Sequence, residues 1–171
     1  MKIPAEYIEI VDSENRPLGV MSRTDAHRQG LYHRSVLVLA YDQQHRLIIQ
    51  KRHGSKELYP GRWDLSATGH ILAGESALEA AYRELEEEMG ITASTMRHII
   101  TINGREDTNY EFVYLFSAGR TAVPPRPNPL EVEDISFTDR NDMETLVHEF
   151  PNILCPGLVY FWRRQLLFPK M

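Results

Sequence analysis

The chain has 171 residues, 42% of them hydrophobic and 25% charged, which suits one soluble domain with one good-sized core. Its formal net charge of −5 weighs against a broad nucleic-acid surface, which needs Lys and Arg to replace counterions. Cys155 stands alone, excluding an intramolecular disulfide and a Cys-rich zinc site, and no stretch approaches the ~20 apolar residues of a membrane span.

The opening Met1-Lys2-Ile3-Pro4-Ala5-Glu6 lacks the apolar run of a signal peptide, so a cytoplasmic location is expected, with neither nucleic acid nor membrane as a partner. Tyr7 to Val11 and Leu18 to Ser22 predict two strands of a hairpin, turned by Asp12-Ser13-Glu14-Asn15. Arg23 to Gly30 is polar and predicts a short helical turn. Ser35 to Tyr41 is a continuous apolar run that reads as a buried strand, and Asp42-Gln43-Gln44-His45 turns the chain into a strand at Leu47 to Gln50. His53 to Asp64, with two glycines and Pro60, predicts a loop.

Ser76 to Met89 is the clearest helix. Ser76 and Glu79 form a capping box, Gly90 suits a left-handed stop, and Leu78, Ala81, Tyr82, Leu85 and Met89 make an apolar stripe. Arg97 to Arg105 and Glu111 to Ala118 predict a second strand pair. Four prolines between 124 and 129 keep the next stretch extended, and Val132 to Phe137 reads as a strand. Thr138 or Asp139 caps a helix running to about Glu149, and Pro156 to Leu167 predicts a final amphipathic helix. Its apolar positions Leu158, Val159, Phe161, Trp162, Leu166 and Leu167 are expected to cover the core or to seat a second copy as a homodimer. Cys155 reads as a small residue beside that helix start. The mixed order predicts an α+β fold, an α/β/α sandwich with helices packed on a mixed sheet. We expect one domain over 1–171, with a hairpin extension at 1–30, a core at 31–150 and a C-terminal helix at 151–171.

Glu84, Glu87 and Glu88 stand at i, i+3 and i+4, within an arc of about 100° beside the apolar stripe. Carboxylates so close repel one another unless a cation joins them, and a hard, oxygen-seeking ion such as Mg²⁺ or Mn²⁺ is the natural partner. Arg83 lies one turn before Glu87 and is placed to pair with it. For such a cluster alone, a solvated acidic face is the commoner outcome. The surroundings reverse that: Gly69, Glu75, Arg83, Glu84, Leu85, Glu87, Glu88, Gly90 and Ile91 fill every fixed position of the pattern G-x5-E-x7-R-E-U-x-E-E-x-G-U, U being aliphatic. At average residue usage, chance gives such a match with odds on the order of one in ten million.

That pattern is the Nudix box, and the sequence resembles the Nudix hydrolases. The resemblance implies a loop–helix–loop in which Glu84, Glu87 and Glu88, with the Gly69 carbonyl, hold Mg²⁺ or Mn²⁺. It places the catalytic machinery at Glu84 and Glu87, with Arg83 and Glu75 bracing loop and helix. It also implies hydrolysis of a diphosphate linkage in a small molecule by water activated on the metal.

Trp63 to His70 also resembles isopentenyl-diphosphate isomerase, a Nudix relative that does not hydrolyse its substrate. His70, and His27 and His33 if one residue is deleted between them, match the isomerase's metal-binding histidines. Glu111 matches one of its two metal-binding glutamates, while Asn109 stands at the other. The resemblance thus implies a second metal site at His27, His33, His70 and Glu111. It implies substrate binding by Arg23, Arg52, Lys56, His70 and Glu111. Lys51, Arg52, Lys56 and Arg62 form the basic cluster that an anionic chain needs to hold a diphosphate. Trp63 reads as core rather than as a stacking platform. Thr68 replaces the isomerase's catalytic cysteine, and a hydroxyl far less acidic than a thiol turns the expectation to hydrolysis. The alternatives are isomerase-like activity and a non-catalytic ligand-sensing Nudix domain. The latter is disfavoured because the glutamate set is whole and no DNA-binding segment is evident.

Overall fold

Two turns of the same chemistry shape the first third of the chain. The computed structural model describes residues 6–168; residues 1–5 of the expected leader-free start and residues 169–171 of the expected C-terminal segment lie outside the described residues. β1 (Tyr7–Val11) and β2 (Pro17–Ser22) form an antiparallel hairpin. In its turn, Asp12 Oδ1 accepts the backbone N–H groups of Glu14 and Arg16 at 2.9 Å each, and Asn15 takes a left-handed φ of 65°. After α1 (Arg23–Gln29), β3 (His33–Tyr41) and β4 (Leu47–Arg52) are joined in the same way. There Asp42 Oδ1 accepts from the Gln44 and Arg46 N–H groups, and His45 sits at φ 62°.

The remaining elements are β5 (Trp63–Asp64), β6 (Ala67–His70), α2 (Ala77–Met89), β7 (Arg97–Ile102), β8 (Glu111–Arg120), β9 (Val132–Thr138), α3 (Arg140–Glu149) and α4 (Pro156–Arg163). Among the described residues seven strands form a mixed sheet in the order β5-β4-β3-β8-β7, with β6 also paired to β3 and β9 to β4. β3 and β8 run parallel, and the other pairs are antiparallel. β3 pairs with β4 only at Tyr41–Leu47; β6 then occupies that edge from Val38 to Ser35.

Alternation along β3 sets the layers, since successive side chains leave a strand on opposite faces. Val36, Val38 and Ala40 pack with Ala80, Ala81, Leu85 and Met89 of α2. Leu39 and Tyr41 pack with Met143 of α3 and Leu158 and Phe161 of α4. Helices therefore cover both faces, which is the expected α/β/α sandwich. The hairpin is tied to this core by backbone bonds from Val11 N to Tyr32 O and from Ala73 N to Tyr7 O, both 2.9 Å.

Several expectations need correction. The helical turn expected over Arg23 to Gly30 is present and extends to seven residues: the Ser22 side chain accepts from Asp25 N, and Gly30 closes the helix at φ 60°. The predicted loop ends at Arg62, because Trp63 and Asp64 pair with Lys51 and Gln50. β6 was not foreseen as a strand. β7 stops at Ile102 instead of Arg105, because the chain turns over Glu106–Thr108, closed by Tyr110 N donating to Arg105 O at 2.7 Å, while Gly104 packs closely against Tyr32 and Tyr110. In α2 the stripe shifts by part of a turn; Leu78 is exposed and Ala80 buried. α4 ends at Arg163, with Gln165 at φ 58°, yet Leu158, Phe161 and Leu167 all reach the core. Val159, Trp162 and Leu166 pack partly buried against it. Trp63 packs there too, and Cys155 is buried beside the α4 start.

Candidate active site

The carboxylate helix begins with the expected cap. Ser76 Oγ accepts from Glu79 N at 3.2 Å, and Glu79 Oε2 accepts from Ser76 N at 2.9 Å. Gly90 ends the helix at φ 61°. The three glutamates do not share one environment. Glu88 is fully buried and Glu84 8% exposed, whereas the Glu87 side chain is 53% exposed. Glu84 and Glu88 thus turn inward toward β6 and β4, and Glu87 faces out. β6 approaches so closely that a Cβ on Gly69 would collide with the Glu84 carboxyl group, so any side chain there would have to push Glu84 aside.

Arg83 organises the entry to this site. Its Nε and Nη2 donate to the two Glu75 oxygens at 2.7 and 2.9 Å, and Nη2 also donates to the His70 carbonyl at 2.9 Å. Nη1 donates to Glu84 Oε1 at 2.6 Å and to Glu87 Oε2 at 3.2 Å. Glu75 Oε2 in turn accepts from Leu72 N at 3.0 Å, so the loop before the helix is braced from both ends.

Burial and the charge of Glu88 push the Glu84 carboxyl up to about 8, against the pull of Arg83. Burial raises Glu88 as well, opposed by Lys56, by Gln50 Nε2 donating at 2.6 Å and by Thr68 N donating at 2.9 Å. Two inward carboxylates beside the close backbone of Gly69 make an all-oxygen set that a hard divalent cation would complete.

The histidines foreseen in the sequence do converge. One donor atom each from His27, His33, His70 and Glu111 lies within 4.8 Å of every other. His27 comes from α1, His33 opens β3, His70 ends β6 and Glu111 opens β8. The parallel register sets His33 beside Glu111, while β6 brings His70 back to Ser35. His33 Nδ1 donates to the Leu31 carbonyl at 2.7 Å, which turns Nε2 toward Glu111 Oε1, 3.6 Å away; that nitrogen is buried and has no hydrogen-bond partner. Burial, with the charges of His70 and His33, pushes His27 down to about 4, the neutral form a metal ligand requires. Burial works against the charged form of Glu111, but the two imidazoles within 3.6 Å outweigh it and hold the carboxyl well below its usual range. An orphaned buried nitrogen and one anionic oxygen among three imidazoles suit a divalent transition metal. Asn109 takes a left-handed φ of 53° in the turn before β8.

The expected basic cluster divides. Lys51 points to Glu133 at 2.7 Å, and Arg62 lies over the Tyr59 ring and donates to the Leu154 carbonyl at 3.4 Å. Only Arg52 and Lys56 reach the glutamate site. Arg52 Nη1 donates to Thr68 Oγ1 at 3.0 Å and pairs with Asp64 at 3.5 Å. Lys56 Nζ lies 3.4 Å from Glu88 Oε1 and 2.8 Å from Glu131 Oε2. Arg23 meets the same loop through Glu57 at 3.3 Å. Gln50 and Glu131 were not foreseen. The signal for Gln50 was a polar residue two positions after Ile48, and so on the strand face that α2 covers. Glu131, on a proline-rich loop, gave no sequence signal.

Comparison with known proteins agrees with this geometry. The NUDIX domain model matches residues 31–154. The protein named Uncharacterized Nudix hydrolase PA4841 of Pseudomonas aeruginosa is 39% identical over 132 residues, 77% of this chain and 76% of its own. The Isopentenyl-diphosphate Delta-isomerase of Serratia proteamaculans is 35% identical over 139 residues, 78% of this chain and 76% of its own. Among solved structures, DR0079 from Deinococcus radiodurans superposes with a TM-score of 0.79 at 25% identity, covering 93% of this chain and 98% of that one.

Proposed function

The chain belongs to the Nudix family, and on that premise we propose that it hydrolyses the diphosphate linkage of a small molecule, using Mg²⁺ or Mn²⁺ at Glu84, Glu87, Glu88 and the Gly69 carbonyl. The observation that carries this reading is the inward pair Glu84 and Glu88, with the Glu84 carboxyl seated where a side chain on Gly69 would otherwise stand. When bound, the metal would neutralise the diphosphate oxygens and acidify a water. In the reaction, water adds to one phosphorus, the bridging oxygen leaves with the other phosphate, and the water's proton passes to a carboxylate.

The protein's own part is chiefly orientation. Arg83 and Glu75 hold Glu84 and the helix entry in place. Arg52 and Lys56 supply cationic groups beside the glutamates, where they would bind phosphate oxygens, with Arg23, at the start of α1, meeting the same loop through Glu57. His70 and Glu111 would contact substrate through the neighbouring cluster. The test is a panel of nucleoside and other small-molecule diphosphates assayed with Mg²⁺ or Mn²⁺. We expect phosphate or monophosphate release from at least one member and none in excess chelator. Turnover undiminished by chelator would contradict the metal role.

The cluster of His27, His33, His70 and Glu111 favours a second reading, isomerisation of a prenyl diphosphate, since relatives named as isomerases align over this region. Against it stands Thr68, whose hydroxyl accepts a bond from Arg52 and is a far weaker acid than a thiol. The two readings separate in deuterated water: isomerisation places deuterium into isopentenyl diphosphate, and hydrolysis alone does not. We expect no uptake, and propose that the cluster holds a second divalent metal in a hydrolase.

A further inference from the structure

We propose that Gln50 is a positioning residue for Glu88, holding one carboxylate oxygen so that the other is presented to the metal. This inference rests on the metal role given to Glu88 above.

Gln50 is fully buried on β4, on the face covered by α2. Its Nε2 donates to Glu88 Oε2 at 2.6 Å and to the Ser66 carbonyl at 3.3 Å. Its Oε1 is buried without any partner. The reverse orientation of the amide would set Oε1 against two acceptors, so the donor must face Glu88. An unsatisfied buried carbonyl is costly, and an apolar side chain of similar size would avoid that cost, as Ile48 does two residues earlier. The amide therefore makes sense as a donor aimed at Glu88.

The consequence is an asymmetric carboxylate. Thr68 N also donates to Oε2, at 2.9 Å, so both uncharged donors from the protein converge on one oxygen. Oε1 is left with Lys56 Nζ alone, at 3.4 Å, and that ammonium is closer to Glu131. With its rotation about the terminal bond fixed, Glu88 offers Oε1 in one direction. Partners of this kind set ligand orientation and typically change metal affinity by about 10- to 100-fold when removed.

The test is a double-mutant cycle between Gln50→Leu and Glu88→Gln, read by calorimetric titration with Mn²⁺ and by the backbone amide resonance of Thr68. We expect Gln50→Leu to weaken Mn²⁺ binding by about tenfold or more in the Glu88 background, and to have little effect in the Glu88→Gln background. The Thr68 amide should shift, and against any hydrolysed substrate kcat should fall while KM holds. Unchanged Mn²⁺ affinity in a folded Gln50→Leu variant, or an equal loss in both backgrounds, would overturn the proposal. Gln50→Met carries the same test should the leucine variant not fold. Coupling in the Mn²⁺ titration without hydrolysis of any diphosphate would leave Gln50's role standing and remove the hydrolytic reading instead.

Discussion

A side chain on Gly69 would have to displace Glu84, whose carboxyl fills the place a Cβ would take. We therefore expect Gly69→Ala to displace Glu84 and to lower both Mn²⁺ affinity and turnover by at least about tenfold, the scale on which ligand misplacement is felt. Wild-type binding and rates in that variant would show that the contact is not needed. At the second cluster, the buried, unpartnered Nε2 of His33 makes metal analysis informative. Purified wild-type protein should carry a divalent transition metal that His33→Ala or His70→Ala protein lacks, while Mg²⁺-dependent turnover of His33→Ala protein distinguishes this loss from damage at the glutamates. Equal metal content in all three would remove the assignment. At this scale the sequence was most legible where residue type is forced by chemistry. The glutamates, Arg83, Gly69 and the histidine set all stood out. Gln50 and Glu131 did not, because their meaning comes from a neighbour brought close only by the folded sheet and loops.

Among elements, α2 was legible to the residue at both ends, because Ser76, Glu79 and Gly90 satisfy or terminate the backbone locally. The Asp12 and Asp42 turns were legible for the same reason: each aspartate bonds to amides two and four residues on. β6 was not, since Ala67-Thr68-Gly69-His70 has no alternation of its own and owes its form to pairing with β3. The end of β7 was hidden likewise, set by the turn over Glu106–Thr108 and the close packing of Gly104.

These local devices predict a pH dependence. Hydrogen bonds to Ser76 hold the Glu79 carboxyl below its ordinary 4.5, and those from the Arg16 and Glu14 backbone hold Asp12 below 3.8. A folded value below the unfolded one lends stability that is complete above the unfolded value and lost as pH falls through the folded one. Glu79→Gln should thus melt below wild type at neutral pH, with the gap narrowing as the pH drops under 4.5. A gap that is constant with pH would show that the charge on Glu79 does not matter.

In the whole molecule, β6 joins the two candidate centres. Gly69 faces Glu84, while the adjacent His70 joins His27, His33 and Glu111 and lends its carbonyl to Arg83. For a chain of net charge −5 to hold an anionic substrate here, as proposed, Arg52 and Lys56 would have to act with bound cations to offset the local carboxylates. The layer order was legible from apolar runs and from the switch between strand and helix periods. The crossing of β3 from β4 to β6 was not, because it depends on which edges meet. Among the described residues no helix is long and apolar enough to cross a membrane. The central claim is metal-dependent hydrolysis at the glutamate helix. It is tested most directly by comparing wild type with Glu88→Gln on the best-hydrolysed diphosphate of the panel at saturating Mg²⁺. The proposed function predicts a loss of about 10²-fold or more in kcat on changing this fully buried carboxylate, and an unchanged rate would contradict it.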